Sequence, residues 1–243
     1  MNCVRLLRGC LRQELRPMSN MFKTPETEDE LMEAARRLAG QRLGDLAAQC
    51  HRQVPTSFHQ SKGWVGQLIE TMLGTDAANR SEPDFVKLGI ELKTIPIDHK
   101  GRPKETTFIC TASLTQMGAW AYTDSRVCKK LSRVLWVPVQ ADPETEIRHR
   151  MVGNPLLWSP SADDDRVIRA DWEYFANKIA NGYVETISAS EGEYLQMRPK
   201  GANSLSRGWG IDEDGASVKT SPKGFYLRTR FTAKLLNENY AAI

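Results

Sequence analysis

A chain of 243 residues can hold one large domain or two small lobes around a true core. With 40% hydrophobic and 26% charged residues its composition is that of an ordinary globular protein, and no apolar run approaches the length of a membrane-spanning helix, so no membrane partner is expected. A net charge of +3 permits a polyanionic partner without requiring one, but the basic excess is concentrated: Arg198, Lys200, Arg207, Lys219, Lys223, Arg228, Arg230 and Lys234 face only Asp212, Glu213 and Asp214 in one C-terminal stretch. The five cysteines form no C-x-x-C pair, which argues against a disulfide framework or a zinc site and for a reducing cytoplasm. The four histidines are scattered without ligand spacing and read as structural or exposed.

The first residues carry Arg5, Arg8, Arg12 and Arg16 against Glu14 alone. They read as a disordered extension over 1–20 ahead of a single domain over 21–243, with Met18 and Met21 as alternative translation starts. Thr27-Glu28-Asp29-Glu30 is a capping box for a helix with Leu31, Ala34, Ala35 and Leu38 on one face and Gly40 as its stop. A second short helix is expected from Leu43 to Cys50, then a polar loop over 52–62. Apolar positions 64, 65, 68, 69, 72 and 73 predict a helix between Gly63 and Gly74. Glu70 falls roughly 60° beyond that apolar arc, which reads as a solvated side chain.

After a strand over 90–95, residues 98–103 form a turn, and the β-branched stretch 106–111 is expected to pair beside that strand as a hairpin. Residues 115–125 read as loop. The basic stretch from Arg126 to Arg133 reads as an exposed face from which one cation can reach a phosphate, and it feeds the buried strand 134–139. Residues 151–160 read as irregular. Ser161 caps a helix with Asp163, Asp164 and Asp165 in its first turn and Ile168, Trp172, Phe175 and Ile179 as its core stripe. A strand over 193–198 stops at Pro199, the Gly-, Ser- and Asn-rich segment 201–222 reads as a mobile loop, and a strand over 224–231 precedes a helix over 232–240.

The candidate chemistry lies in Pro83-Asp84-Phe85-Val86-Lys87-Leu88-Gly89-Ile90-Glu91-Leu92-Lys93-Thr94. On a strand, Glu91 and Lys93 project side by side while Ile90 and Leu92 face the core. A turn at Gly89 lets Asp84 converge on the same edge. Two carboxylates with open positions suit Mg²⁺, and an adjacent ammonium can steer water or neutralise developing charge, which is the outline of a metal-dependent nuclease site. The other reading of the same residues is a solvated ion pair of little worth.

Further phrases bear on the choice: Lys62-Gly63-Trp64, Glu70, Gly101-Arg102-Pro103 with Glu105-Thr106-Thr107-Phe108, Val134-Leu135-Trp136-Val137-Pro138-Val139, Pro155-Leu156-Leu157-Trp158-Ser159-Pro160, Gly192-Glu193-Tyr194-Leu195-Gln196-Met197-Arg198-Pro199-Lys200 and Gly224-Phe225-Tyr226-Leu227. With the Asp84 to Pro96 run they resemble the MutH family of DNA mismatch repair endonucleases, in register from about Thr24 to the C-terminus. The segment from Gly201 to Pro222 looks unlike the family.

The resemblance implies an α/β, restriction endonuclease-like fold: a central five-stranded mixed sheet flanked by helices, with two lobes forming a DNA cleft. It implies a monomer that nicks the unmethylated strand 5′ to the G at hemimethylated GATC sites, depends on Mg²⁺, and is activated by MutL once MutS has found a mismatch. Position by position, Asp84 and Glu91 match the metal-binding carboxylates, Lys93 the catalytic lysine, and Glu70 and Lys130 further active-site residues. Lys62, Arg198, Pro199, Lys200 and Tyr226 match the DNA-contacting segments, Tyr226 lying where adenine methylation is sensed. A stand-alone GATC restriction endonuclease and a catalytically silent DNA-binding adaptor are the rival readings.

Overall fold

Seven residues, Glu91–Ile97, form the strand β1, and the sheet it belongs to separates two hydrophobic cores. The computed structural model describes residues 22–56, 63–75, 82–201, 203 and 205–240. The further strands are β2 (Thr107–Thr111), β3 (Val134–Gln140), β4 (Leu156–Trp158), β5 (Leu195–Pro199), β6 (Gly208–Ile211), β7 (Ser217–Thr220) and β8 (Lys223–Leu227). The helices are α1 (Glu28–Leu38), α2 (Leu43–Gln49), α3 (Trp64–Met72), α4 (Arg126–Leu131), α5 (Ala162–Ala180) and α6 (Thr229–Tyr240). Among the described residues no helix is long and apolar enough to cross a membrane.

β3 runs parallel to β1, with Glu91 opposite Val134 and Ile97 opposite Gln140, and β4 lies antiparallel on its other side. Side chains alternate across this sheet. Leu92, Leu135, Val137 and Val139 pack on α1, α2 and α3, while Ile95, Val134 and Trp136 pack on α5 and on a second sheet. That is why β3 reads as an unbroken apolar run: both its faces are covered. The second sheet has the order β2-β8-β5, and β6 and β7 form a separate two-stranded ribbon.

The chain is thus mixed α/β, but among the described residues the strands pair as two three-stranded sheets and a ribbon rather than as one five-stranded sheet. The expected β1–β2 hairpin begins and then stops. Ile97 bridges Pro103, and the Lys104 N–H donates to the Pro96 carbonyl at 2.9 Å. A residue's N–H and C=O point to the same strand edge, so the donor that Pro96 lacks is missing from the edge β2 would have needed. β2 pairs antiparallel with β8 instead, Phe108 opposite Tyr226.

Four other expectations shift. Residues 151–160 contain β4, and the basic stretch 126–133 contains α4, whose N-cap Ser125 accepts from the Cys128 N–H. The last helix starts at Thr229, so the strand before it ends at Leu227. The segment 201–222, read as a mobile loop, holds the β6–β7 ribbon, closed by a turn in which Gly215 takes φ +78° and Asp212 accepts from the Asp214 and Ala216 N–H groups at 3.1 and 2.8 Å.

The helix starts fit their residues. The Thr27 hydroxyl accepts from the Glu30 N–H at 3.1 Å, although Glu30 itself reaches Glu26, one residue before the box partner. Ser161 accepts from the Asp164 N–H at 3.1 Å above three acidic residues in the first turn of α5. From α5 the buried Asp171 accepts three backbone N–H groups, those of Glu193, Tyr194 and Leu195, at 2.6–2.8 Å. This pins the start of β5 and so fixes where its far end, Arg198-Pro199, emerges.

Candidate active site

The turn before β1 brings the first carboxylate in. With Gly89 at φ +65°, the chain reverses so that the Phe85 N–H donates to the Ile90 carbonyl at 2.9 Å and the Ile90 N–H returns at 3.3 Å. The Glu91 N–H donates to the Arg133 carbonyl on the β3 side, so by alternation the Leu92 N–H faces the open edge of β1. Asp84 fills that edge: its Oδ2 accepts from the Leu92 N–H at 2.8 Å. Its own carbonyl accepts from the Thr75 hydroxyl at 2.9 Å, tying the turn to the end of α3.

Glu91 and Lys93 project together, as the alternation requires, and their side chains are in contact. The pair is not a solvated one: Glu91 is 1% exposed. Lys130 lies over it from α4, its Nζ at 2.9 Å from both Glu91 carboxylate oxygens. Val127, Lys130 and Leu131 are the buried face of α4, so the basic stretch is not uniformly an exposed one. Glu91 therefore carries two ammonium partners in a nearly dry setting.

Glu70 departs from the wheel reading. It is half-buried at the margin of α3's apolar face and interacts electrostatically with Asp84, Lys93 and Glu91. Its carboxyl is held above the usual range, first by burial and then by the negative charge of Asp84. The Asp84 carboxyl is also raised, first by burial and then by the charge of Glu91, and Lys93 partly offsets both shifts. The five residues Glu70, Asp84, Glu91, Lys93 and Lys130 thus form one electrostatic cluster.

This cluster suits a divalent cation. Among the described residues no group of three or more His, Cys, Asp and Glu side chains is arranged to hold a metal by itself. Magnesium needs less, one or two carboxylates with water and substrate oxygens completing the shell. Among the described residues the Glu70 carboxylate makes no hydrogen bond or ion pair, and Asp84 commits only Oδ2. Two half-buried hard oxygen donors that repel each other fit such an ion, whereas both oxygens of Glu91 are already taken by lysine.

The second group of candidates lies on the β2–β8–β5 sheet. Arg198, Pro199 and Lys200 are exposed at the end of β5, and Tyr226 stands opposite Phe108 on one side and Gln196 on the other. The Tyr226 and Phe108 rings meet edge to face at 5.2 Å. The Arg198 guanidinium lies 5.7 Å from the Tyr226 ring centre and donates to the Thr106 hydroxyl at 3.0 Å, and Lys200 Nζ lies 4.3 Å above Phe108. A side chain at Gly224 would reach 3.0 Å from the Phe108 ring and 3.3 Å from Lys200, so the patch depends on that glycine. Lys62 lies outside the described residues.

Phe108 and Thr106 line this patch, whereas the sequence reading places them in a strand and among the family-like phrases without a site role. The signal was their alternation in Thr106-Thr107-Phe108, which puts the two on one face. Cys110 links the two groups, since its buried thiol, pushed up to about 12 mainly by burial, also feels Lys130, Lys93 and Glu91.

Comparison with known proteins identifies the family. The family model described as "DNA mismatch repair enzyme MutH" matches residues 73–171, the span from the end of α3 into α5 that contains Asp84, Glu91, Lys93 and Lys130. A "DNA mismatch repair protein MutH" of Shewanella sp. (strain ANA-3) is 49% identical over 214 residues, covering 88% of this chain and 96% of the relative. The proteins of that name from Serratia proteamaculans (strain 568) and Escherichia coli O6:K15:H31 (strain 536 / UPEC) are 46% and 44% identical, covering 92% and 90% of this chain and 98% and 96% of theirs. With an acidic and basic cluster on the open edge of β1 and relatives matched over nearly their whole lengths, the chain belongs to the MutH family of DNA mismatch repair enzymes.

Proposed function

We propose that this protein is the Mg²⁺-dependent endonuclease of methyl-directed mismatch repair, a cytoplasmic monomer that nicks the unmethylated strand 5′ to the G of hemimethylated GATC sites. Its activation falls to MutL after MutS has detected the mismatch, and the duplex is held in a cleft between two lobes of the domain over 21–243. The observation that carries the reading is the convergence of Asp84 and Glu91, with Lys93 and Lys130, on one strand edge. Asp84, through its open Oδ1, and Glu91, by giving up a lysine contact to the cation, are the residues to hold the ion, with Glu70 beside them. A magnesium ion held by these carboxylates would supply polarisation of the phosphodiester and a more acidic attacking water. Lys93, the more exposed of the two lysines at 17%, offers charge to the scissile phosphate, and Lys130 orients the Glu91 carboxylate from behind.

Base readout falls to the aromatic and cationic patch. Arg198 suits the acceptor edge of guanine, Pro199 and Lys200 follow the strand, Tyr226 senses the adenine N6 group, and Lys62 adds a further DNA contact. Tyr226→Phe is expected to reduce discrimination between methylated and unmethylated adenine about fivefold, the worth of one hydrogen bond, with a smaller effect on overall affinity. Competitive nicking of the two substrates measures this, and an equal loss on both would remove Tyr226 from the sensing role.

The raised Glu70 carboxyl gives a pH and metal prediction. A carboxyl raised by folding contributes stability that is present below its unfolded pKa, near 4, and is lost as pH rises through the folded value. At pH 7 without metal the raised Glu70 carboxyl therefore opposes folding. Glu70→Gln is expected to melt higher than the wild type there, by about 2–4 °C for each kcal/mol relieved, and to gain less from added Mg²⁺. Equal magnesium stabilisation of both proteins would take Glu70 out of the ion's surroundings.

The function itself is tested on unmethylated, hemimethylated and fully methylated GATC duplexes, with Mg²⁺ and with or without MutL. A single MutL-stimulated nick in the unmethylated strand is the expected result. Double-strand cutting indifferent to MutL would mark a stand-alone restriction enzyme, and binding without cleavage would mark an adaptor.

A further inference from the structure

The β6–β7 ribbon has no part in the site described so far, yet it is built as a rigid arm. Its inner face carries Gly210 and Thr220: a side chain on Gly210 would come within 2.7 Å of Thr220, and the Thr220 hydroxyl donates to Glu185, which also accepts from the Ser221 N–H at 3.3 Å. Its tip presses on the end of α5, where a side chain on Gly182 would collide with the Asp212 backbone at 2.1 Å. The outer face carries Trp209 opposite Lys219. Trp209 is 58% exposed, and Lys219 Nζ lies 3.7 Å from its ring centre.

The charge around this face is unbalanced in a particular way. Several cations elsewhere are paired: Arg133 with Glu28, Lys178 with Glu191, Lys234 with Asp164. Among the described residues Arg198, Lys200 and Lys219 form no ion pair, whereas Lys223 is buried and feels the Glu185 carboxylate. The ribbon's own acids are gathered in the turn at its far end, Asp212 curled onto the Asp214 and Ala216 N–H groups. The ribbon is continuous with the base-reading patch, since the Lys200 backbone N–H donates to the Pro222 carbonyl at 2.7 Å and Lys223 pairs with Pro199.

We infer that this ribbon is an arm that grips the DNA backbone beside the recognition sequence, Trp209 packing on the sugar edge and Lys219 contacting a phosphate. The inference rests on the endonuclease reading above and names which part of the substrate the ribbon takes. An indole with an ammonium on its face offers both halves of a backbone contact, apolar area for the sugar and charge for the phosphate. The reach is bounded: Lys219 is four residues from Lys223, at most about 14 Å of extended chain, or about four base pairs of duplex.

Two hemimethylated duplexes test it by equilibrium binding without divalent metal, one ending about two base pairs beyond GATC on each side and one about eight. The wild type is expected to bind the longer duplex more tightly. Trp209→Ala and Lys219→Gln are each expected to shrink that advantage about fivefold, Trp209→Phe to restore most of it, and Lys219→Gln to lower the slope of log K against log salt on the longer duplex by about one. Variants that keep the wild-type length advantage and salt slope would overturn the arm while leaving the endonuclease reading intact. A wild type that binds neither duplex would overturn both.

Discussion

Glu91→Ala is expected to abolish nicking and to lower the melting temperature substantially. Glu91 is 1% exposed, and Lys130, itself 8% exposed, holds both its oxygens at 2.9 Å while Lys93 contacts one of them. Removing the carboxylate leaves an ammonium buried without its counter-charge. Breaking a buried pair from one side costs about 3–5 kcal/mol, equivalent to about 6–20 °C in a domain of this size. Lys130→Met is expected to cost less, because Glu91 keeps Lys93 and the methionine stem fills the space on α4. Thermal melts and nicking assays on the two variants check the pair. A Glu91→Ala protein that melts with the wild type would mean that the ammonium of Lys130 is solvated.

Asp84→Asn is expected to separate chemistry from fold. The Leu92 N–H that Asp84 accepts on the open edge of β1 can be accepted equally well by an asparagine oxygen, so the turn and the strand edge are expected to survive. What is lost is the negative charge. An amide is a poor ligand for a hard divalent ion, and loss of several kcal/mol of transition-state stabilisation corresponds to a rate reduction of about a thousandfold or more. Because the folded Asp84 carboxyl is raised by burial and by Glu91, its neutral replacement is also expected to make the metal-free protein more stable at pH 7. Nicking within about tenfold of the wild type would take Asp84 out of the chemistry.

What was legible in the chain was local. Alternation over 90–95 placed Glu91 and Lys93 together, Gly89 marked the reversal that carries Asp84, and the spacing of Ile168, Trp172, Phe175 and Ile179 gave the core face of α5. Lys130 was legible too, since Val127, Lys130 and Leu131 repeat at i, i+3 and i+4, but a run of cations masks that period. The ribbon left its signal in Asp214-Gly215 between Ile211 and Val218, a hairpin turn hidden by the serine and glycine around it. Glu70 was harder, because a wheel locates the edge of an apolar arc but not what stands beyond that edge.

The strand pairing was far less legible. Which strand takes the edge of β2 depends on β8, far along the chain, and no local period encodes it. Only Pro96, with no N–H on the edge away from β3, hints that the adjacent hairpin cannot form.

The most direct measurement is single-turnover nicking of a hemimethylated GATC duplex, each strand labelled separately, over a range of Mg²⁺ concentrations with MutL present. The account expects cleavage of the unmethylated strand alone, 5′ to the G, saturating with magnesium and lost in the Asp84, Glu91 and Lys93 substitutions. Cleavage that needs no divalent ion, or that persists when Asp84 and Lys93 are replaced, would contradict it.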